Sequence, residues 1–229
     1  MNKTIAAFVA EFVGAAALMF VGGGAILNGL DLVAVALAHG LILSVCVTAT
    51  MHISGGQFNP AVSVGLALIK KQSWATAAVL IVAQLAGAVV AAVALKSVFA
   101  PDVVAAKQLG ATLGSLSKGD SASMGMVVLL EAIATFLLMF CIMGTAVDPR
   151  GVGKTAAVGG FGIGLTVAAD ILCFGPLTGA SMNPSRSFAP ALVGGYWDMH
   201  AAYWIGPIVG AAAAAVLWKT VIEKSEERA

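Results

Sequence analysis

A ten-residue segment occurs twice in this chain, its two copies 124 residues apart. Ser54-Gly55-Gly56-Gln57-Phe58-Asn59-Pro60-Ala61-Val62-Ser63 aligns with Thr178-Gly179-Ala180-Ser181-Met182-Asn183-Pro184-Ser185-Arg186-Ser187, and Ala67-Leu68 continues the match with Ala191-Leu192. Ahead of each copy, Ala10-Glu11-Phe12 through Leu18-Met19-Phe20 pairs loosely with Leu130-Glu131-Ala132 through Leu138-Met139-Phe140. The chain is therefore a tandem duplication, with halves at about 1–100 and 120–222. Apolar stretches at about 5–27, 33–52, 74–99, 124–146, 155–173 and 201–222 each suit a helix crossing an apolar layer about 30 Å thick. Three spans fall in each half. Because three is odd, the second half must enter the layer upside down relative to the first, which makes the repeat an inverted one.

Composition agrees with a lipid setting. Of 229 residues 60% are hydrophobic and only 10% charged, where a soluble domain carries about 25%, and the mean hydropathy is +0.99. That charge cannot cover a water-facing surface, so the chain reads as an integral membrane protein whose first partner is the lipid bilayer. A net charge of +1 supplies no basic stripe, so nucleic acid is not an expected partner. Cys46, Cys141 and Cys173 are odd in number and lack metal-ligand spacing, so no disulfide framework, metal or cofactor is expected. The stretch from Ile5 is too long for the apolar region of a signal peptide and is expected to be the first span. Residues 1–229 are expected to form a single transmembrane domain. Lys3, Lys70, Lys71, Arg150, Lys154, Lys219, Lys224 and Arg228 fall on one side, against Lys96, Lys107, Lys118 and Arg186 on the other. Both termini are therefore expected in the cytoplasm.

Two further apolar pieces, Asn59 to Leu68 and Asn183 to Val193, are too short to cross and are expected to be re-entrant half-helices. Each opens with Asn-Pro, a favoured N-cap followed by a residue pre-organised for the first helical position. In inverted halves such pieces enter from opposite faces and meet at their N-termini near the midplane. If each Asn side-chain oxygen caps its own helix, its NH2 group is left to donate into the space between them. Two helix N-termini aimed at one point bring about half a positive charge each. A cation is disfavoured there, while a neutral molecule with an acceptor lone pair is welcome. A water oxygen held by both donors turns its hydrogens away from them, which interrupts a proton wire. The device suits a channel for neutral solutes.

With these motifs in place, the chain resembles the aquaporins of the major intrinsic protein family from Glu11 to about Trp218. The resemblance rests on His52-Ile53-Ser54-Gly55-Gly56-Gln57-Phe58-Asn59-Pro60-Ala61 and Gly179-Ala180-Ser181-Met182-Asn183-Pro184-Ser185-Arg186-Ser187. It departs at Ser185, where the family usually has Ala; a small residue in the first turn should be tolerated. The resemblance implies an all-α, right-handed bundle of six transmembrane helices plus two half-helices, usually assembled as a homotetramer with a pore in each subunit. It places Asn59, Pro60, Ala61, Asn183, Pro184 and Ser185 at the pore centre. It also implies a narrow filter on the extracellular side, at His39, Ile171, Ala180 and Arg186. That set is similar to the filter of plant tonoplast intrinsic proteins. Ser187, Ala191, Tyr203 and Trp204 are similar to the water-channel set rather than to glycerol facilitators.

Arg186 is the one basic residue in the second pore segment, and an isolated charge in such a place is costly unless functional. His52 reads as a donor packing the first loop, His200 as interfacial, and Asp170 as a span-end residue facing extracellular water. Glu11 and Glu131 occupy matching repeat positions. The resemblance implies that they support the pore loops by accepting backbone N–H bonds, whereas a proton-coupled transporter would use them as carriers. No serine, histidine and carboxylate order or paired-carboxylate spacing suggests an enzyme, so no catalytic residue is expected.

The expected function is a passive, single-file water channel that excludes protons and ions. Passage of ammonia, hydrogen peroxide, urea or glycerol is the alternative within the same class. Compact tails and no targeting segment point to a bacterial cell (inner) membrane. The mercury-reactive cysteine frequent in the family lies three residues before the second Asn, and that position is Ala180 here. Mercurials are therefore expected to inhibit water flux weakly. Strong block that survives replacement of Cys46 and Cys173 would contradict this.

Overall fold

The computed structural model describes residues 2–118, 123–151 and 159–223, and every regular element among them is helical. Lys154, Lys224, Arg228 and the first four residues of the fifth expected span lie outside the described residues. The helices are α1 (Lys3–Leu27), α2 (Leu32–Ser54), the short α3 (Pro60–Leu68) and α4 (Trp74–Val98) in the first half, and α5 (Pro101–Ala106) in the connection between the halves. In the second half they are α6 (Met124–Ile142), α7 (Gly159–Thr178), the short α8 (Pro184–Gly194) and α9 (Ala202–Leu217). One π turn extends α6 over Met143–Val147 and another extends α9 over Trp218–Ile222.

With these extensions, six helices among the described residues are long and apolar enough to span a membrane. Their starts are set locally. Asn2, Asp31 and Ser73 cap α1, α2 and α4 by accepting from Thr4, Ala34 and Thr76 N–H groups at 2.9–3.0 Å. Large apolar side chains point outward all round the bundle: Val45, Val82 and Val90 are 62%, 58% and 54% exposed. In water such a surface would aggregate; against lipid it carries no penalty. The chain is a multi-pass membrane protein.

The packing repeats as the sequence does. Helix α1 lies against α4, α6 lies against α9, and α2 against α7 joins the two halves. At equivalent places in the first two pairs a glycine meets the neighbouring backbone. A Cβ on Gly87 would be driven into the Phe12 carbonyl oxygen, and one on Gly210 into that of Ala132. With no apolar solvent effect to press helices together in lipid, such close backbone approach supplies the dispersion contact that holds them.

The first and last described residues lie towards one face of the bundle. Lys3 and Thr4 share a groove with Ser54, Ala75 and Thr76. At the other end of the chain, Lys71 Nζ pairs with Glu223 Oε1 at 2.7 Å.

Gly87→Val and Gly210→Val should each cost about 1–3 kcal/mol through overpacking and lower the thermal midpoint of the detergent-solubilised protein. Gly125→Ala, whose Cβ would meet nothing within 4 Å, should leave it in place. Equal midpoints for all three would show that the backbones can part without loss.

Candidate functional site

Between α2 and α3, and again between α7 and α8, the chain is not helical although it lies inside the apolar layer. Both segments adopt the same backbone path. Gly55, Gly56 and Phe58 have φ of 94°, 60° and 49°, and their repeat partners Gly179, Ala180 and Met182 have 90°, 46° and 54°. A left-handed conformation at a bulky residue such as Phe58 or Met182 costs about 1–3 kcal/mol and persists only where the surroundings over-determine it.

Glu11 and Glu131, both fully buried, supply that determination. Glu11 Oε1 accepts from Ser54 Oγ (2.6 Å) and Gln57 N–H (2.8 Å), and its Oε2 from Phe58 N–H (2.6 Å) and Gln84 Nε2 (2.7 Å). Glu131 Oε1 accepts from Thr178 Oγ1 (2.7 Å) and Ser181 N–H (3.0 Å), and its Oε2 from Met182 N–H (2.7 Å). Four donors meet the first carboxylate and three the second. Gln84, the extra donor, went unnoticed in the sequence, although it is the one amide in α4. The Ser54 and Thr178 hydroxyls were visible as an aligned pair.

At the centre, Asn59 Oδ1 accepts from Ala61 N–H at 2.9 Å and Asn183 Oδ1 from Ser185 N–H at 3.0 Å. Their NH2 groups are not wholly free. Asn59 Nδ2 donates to the Met182 carbonyl at 2.8 Å, and Asn183 Nδ2 to the Phe58 carbonyl at 2.9 Å. Each Asn thus ties its half-helix to the opposite loop and retains one N–H for anything between them. Ser185 does more than fit: its Oγ donates to Asn183 Oδ1 at 2.8 Å, a bond that alanine would lack. Pro60 and Pro184 stand at the first helical positions, where no N–H is required.

His39, Ile171, Ala180 and Arg186 come together along one narrow passage that also contains Asn59 and Asn183. Much of its lining is apolar, with Leu18, Leu43, Val47, Leu138, Val167 and Ile171, and Gln57, Ser181, the two Asn, His39 and Arg186 supply the polar groups. The passage meets a wider vestibule at Gly56, Gln57 and Ile163, which line both. Arg186 Nη1 donates to the Gly110 carbonyl, and its Nη2 stands 3.3 Å from His39 Nε2. His39 Nδ1 lies 2.8 Å from the Val35 carbonyl. A carbonyl can only accept, so Nδ1 carries the proton and Nε2 offers its lone pair to the guanidinium. His39 is therefore spent on fixing Arg186, which keeps other N–H groups for passing acceptors.

The connection between the halves contributes more than the sequence suggested. Besides Gly110, it brings Thr112 Oγ1 within 2.6 Å of Ser187 Oγ, which in turn contacts the Ser181 hydroxyl. Irregular sequence of this kind has no period to read.

Two expectations are corrected. Asp170 does not face water: it is 3% exposed, one carboxylate oxygen has no partner, and it bonds neither Arg186 nor His39. His52 is exposed at the vestibule rather than packed into the loop. Away from the passage, the Tyr203 hydroxyl donates to the Thr178 carbonyl at 2.7 Å, and His200 is half-buried and accepts from Trp204 Nε1 at 3.1 Å.

A sequence model of the family described as "Major intrinsic protein" matches residues 1–218. "Aquaporin TIP4-4" of Zea mays is 42% identical over 224 residues, covering 95% of this chain and 84% of that protein. "Aquaporin TIP2-1" of Arabidopsis thaliana is 36% identical over 235 residues, covering 98% and 90%. Among solved structures, the aquaglyceroporin from Plasmodium falciparum superposes with a TM-score of 0.87 at 26% identity, covering 99% of this chain and all of that one.

The carboxylates give a test. In Glu11→Gln and Glu131→Gln the amide NH2 must face a backbone N–H whichever way it turns, that of Gln57 or Phe58 in the first and of Ser181 or Met182 in the second. Each orphaned buried donor costs about 1–3 kcal/mol. Both variants should therefore lose folded protein in detergent relative to wild type, measured by size exclusion after heating. Wild-type retention in either variant would contradict the assignment.

Proposed function

The chain belongs to the major intrinsic protein family and is a passive transmembrane channel for water; we propose that water crosses it in single file past Arg186 and between Asn59 and Asn183, with protons and ions excluded. The observation that carries this reading is the joining of two opposed half-helix N-termini through the Asn59 and Asn183 amides, inside a passage with a largely apolar lining. Each amide keeps one hydrogen for a water oxygen, and the apolar side chains of the lining offer the water no competing partner. A molecule held in this way donates along the file in both directions but cannot pass a proton through its own oxygen.

The filter is His39, Ile171, Ala180 and Arg186, Glu11 and Glu131 support the loops, and residues 1–229 act as one channel domain. The carboxylates spend their oxygens on loop and side-chain donors, and neither lines the passage. That supports a channel over a proton-coupled carrier. The grouping of Lys3, Lys70, Lys71 and Lys219 near the face that holds the first and last described residues supports cytoplasmic termini. The cell (inner) membrane and a homotetramer complete the reading.

A second reading, passage of ammonia, hydrogen peroxide, urea or glycerol as well, is favoured by Ile171 and Ala180, which make two sides of the filter apolar. Stopped-flow light scattering on proteoliposomes separates the two. An osmotic gradient should drive water out many times faster than from empty liposomes, and water flux equal to the empty control would overturn the channel. His39→Ala removes a ring from the filter and releases Arg186. It should raise urea and glycerol entry severalfold while water permeability stays within about twofold. Unchanged solute entry would remove His39 from the filter.

A further inference from the structure

The two half-helices are anchored at their outer ends as well as at the centre. Lys219, on the π turn after α9, donates from Nζ to the Ile69 carbonyl at 2.7 Å. Lys96, in the last turn of α4, donates from Nζ to the Val193 carbonyl at 2.8 Å. Ile69 is the C-cap of α3, and Val193 lies in the last turn of α8. The 124-residue repeat carries Ile69 onto Val193, and Lys96 falls one residue past Lys219 under the same shift. Each contact is thus the image of the other, at opposite faces of the bundle. Neither lysine lines the passage.

A head-to-head pair of helix dipoles repels itself, because two positive ends face one another in a medium that screens them poorly. The amide bonds across the centre oppose that repulsion from the inside. An ammonium on the terminal carbonyls opposes it from the outside: it complements the negative end of each half-helix and joins it to a full transmembrane helix. We propose that Lys96 and Lys219 are positioning residues of the pore, a symmetric pair of ammonium clamps that set how deeply Asn59 and Asn183 are seated.

This rests on the channel reading for its consequences but not for its geometry, so the test reads both. Lys96→Met and Lys219→Met keep the apolar stem and remove the charge; Lys→Arg at each position restores it. Hydrogen–deuterium exchange on the purified, folded protein should show faster exchange of the 184–195 amides in Lys96→Met and of the 60–70 amides in Lys219→Met. Each effect should be confined to its own half-helix and reversed by arginine. In proteoliposomes the double Met variant should lose water permeability by about two- to tenfold and conduct protons above the empty-liposome level. Folded Met variants with wild-type exchange in both half-helices would overturn the proposal, as would faster exchange spread over the whole bundle. Selective exchange changes in the Met variants, beside a wild-type protein that passes no water, would leave the clamps standing and remove the channel reading instead.

Discussion

Everything in this fold depends on satisfying the backbone of two short non-helical segments inside an apolar layer. A chain in lipid can hide its N–H and C=O groups within helices, and any departure from helix leaves groups that water cannot reach. Residues 55–59 and 179–183 make such a departure. They are tolerable because a buried carboxylate, Glu11 or Glu131, collects the N–H groups of each segment. The carbonyls of Phe58 and Met182, turned by the left-handed backbone, receive the Asn amides of the opposite half. Support and function are inseparable here, since the bonds that make the irregular chain stable also aim the donors.

The two halves share this plan but not its details. The first loop is held by four donors to its carboxylate, the fourth coming from Gln84, and opens towards the wide vestibule. The second is held by three, and the Ser185 hydroxyl adds a bond to the Asn183 cap. It also carries Arg186, stretched between the Gly110 carbonyl and His39. Duplication accounts for the symmetric centre. The constriction at one end alone comes from residues the repeat does not copy: Arg186 aligns with Val62, and His39 faces it from α2.

Much of this was readable before the structure. Six spans, two half-helices and their inversion follow from apolar run lengths and from the Asn-Pro repeat, since crossing a layer requires a minimum length and an odd count per half fixes polarity. Glu11 and Glu131 stood out because charge is rare in such spans. What escaped notice depends on three-dimensional encounter. The use of half of each Asn amide to cross-link the halves, the pairing of Arg186 with His39, and the Thr112 and Gly110 contacts lie between segments far apart in sequence. Asp170 was misread because a polar residue near the end of an apolar run is ordinarily at the water interface, whereas here it is covered. The lysines that hold the half-helix ends look in sequence like ordinary interfacial charges.

The central claim is that the opposed half-helix termini and their paired Asn donors break the proton wire without stopping the water. The direct measurement is proton flux in proteoliposomes of measured channel density, followed with an entrapped pH dye under an imposed pH gradient, beside water permeability of the same vesicles. Water permeability should rise in proportion to channel density while proton flux stays at the empty-liposome value. Proton flux that climbs with channel density in step with water would contradict the account.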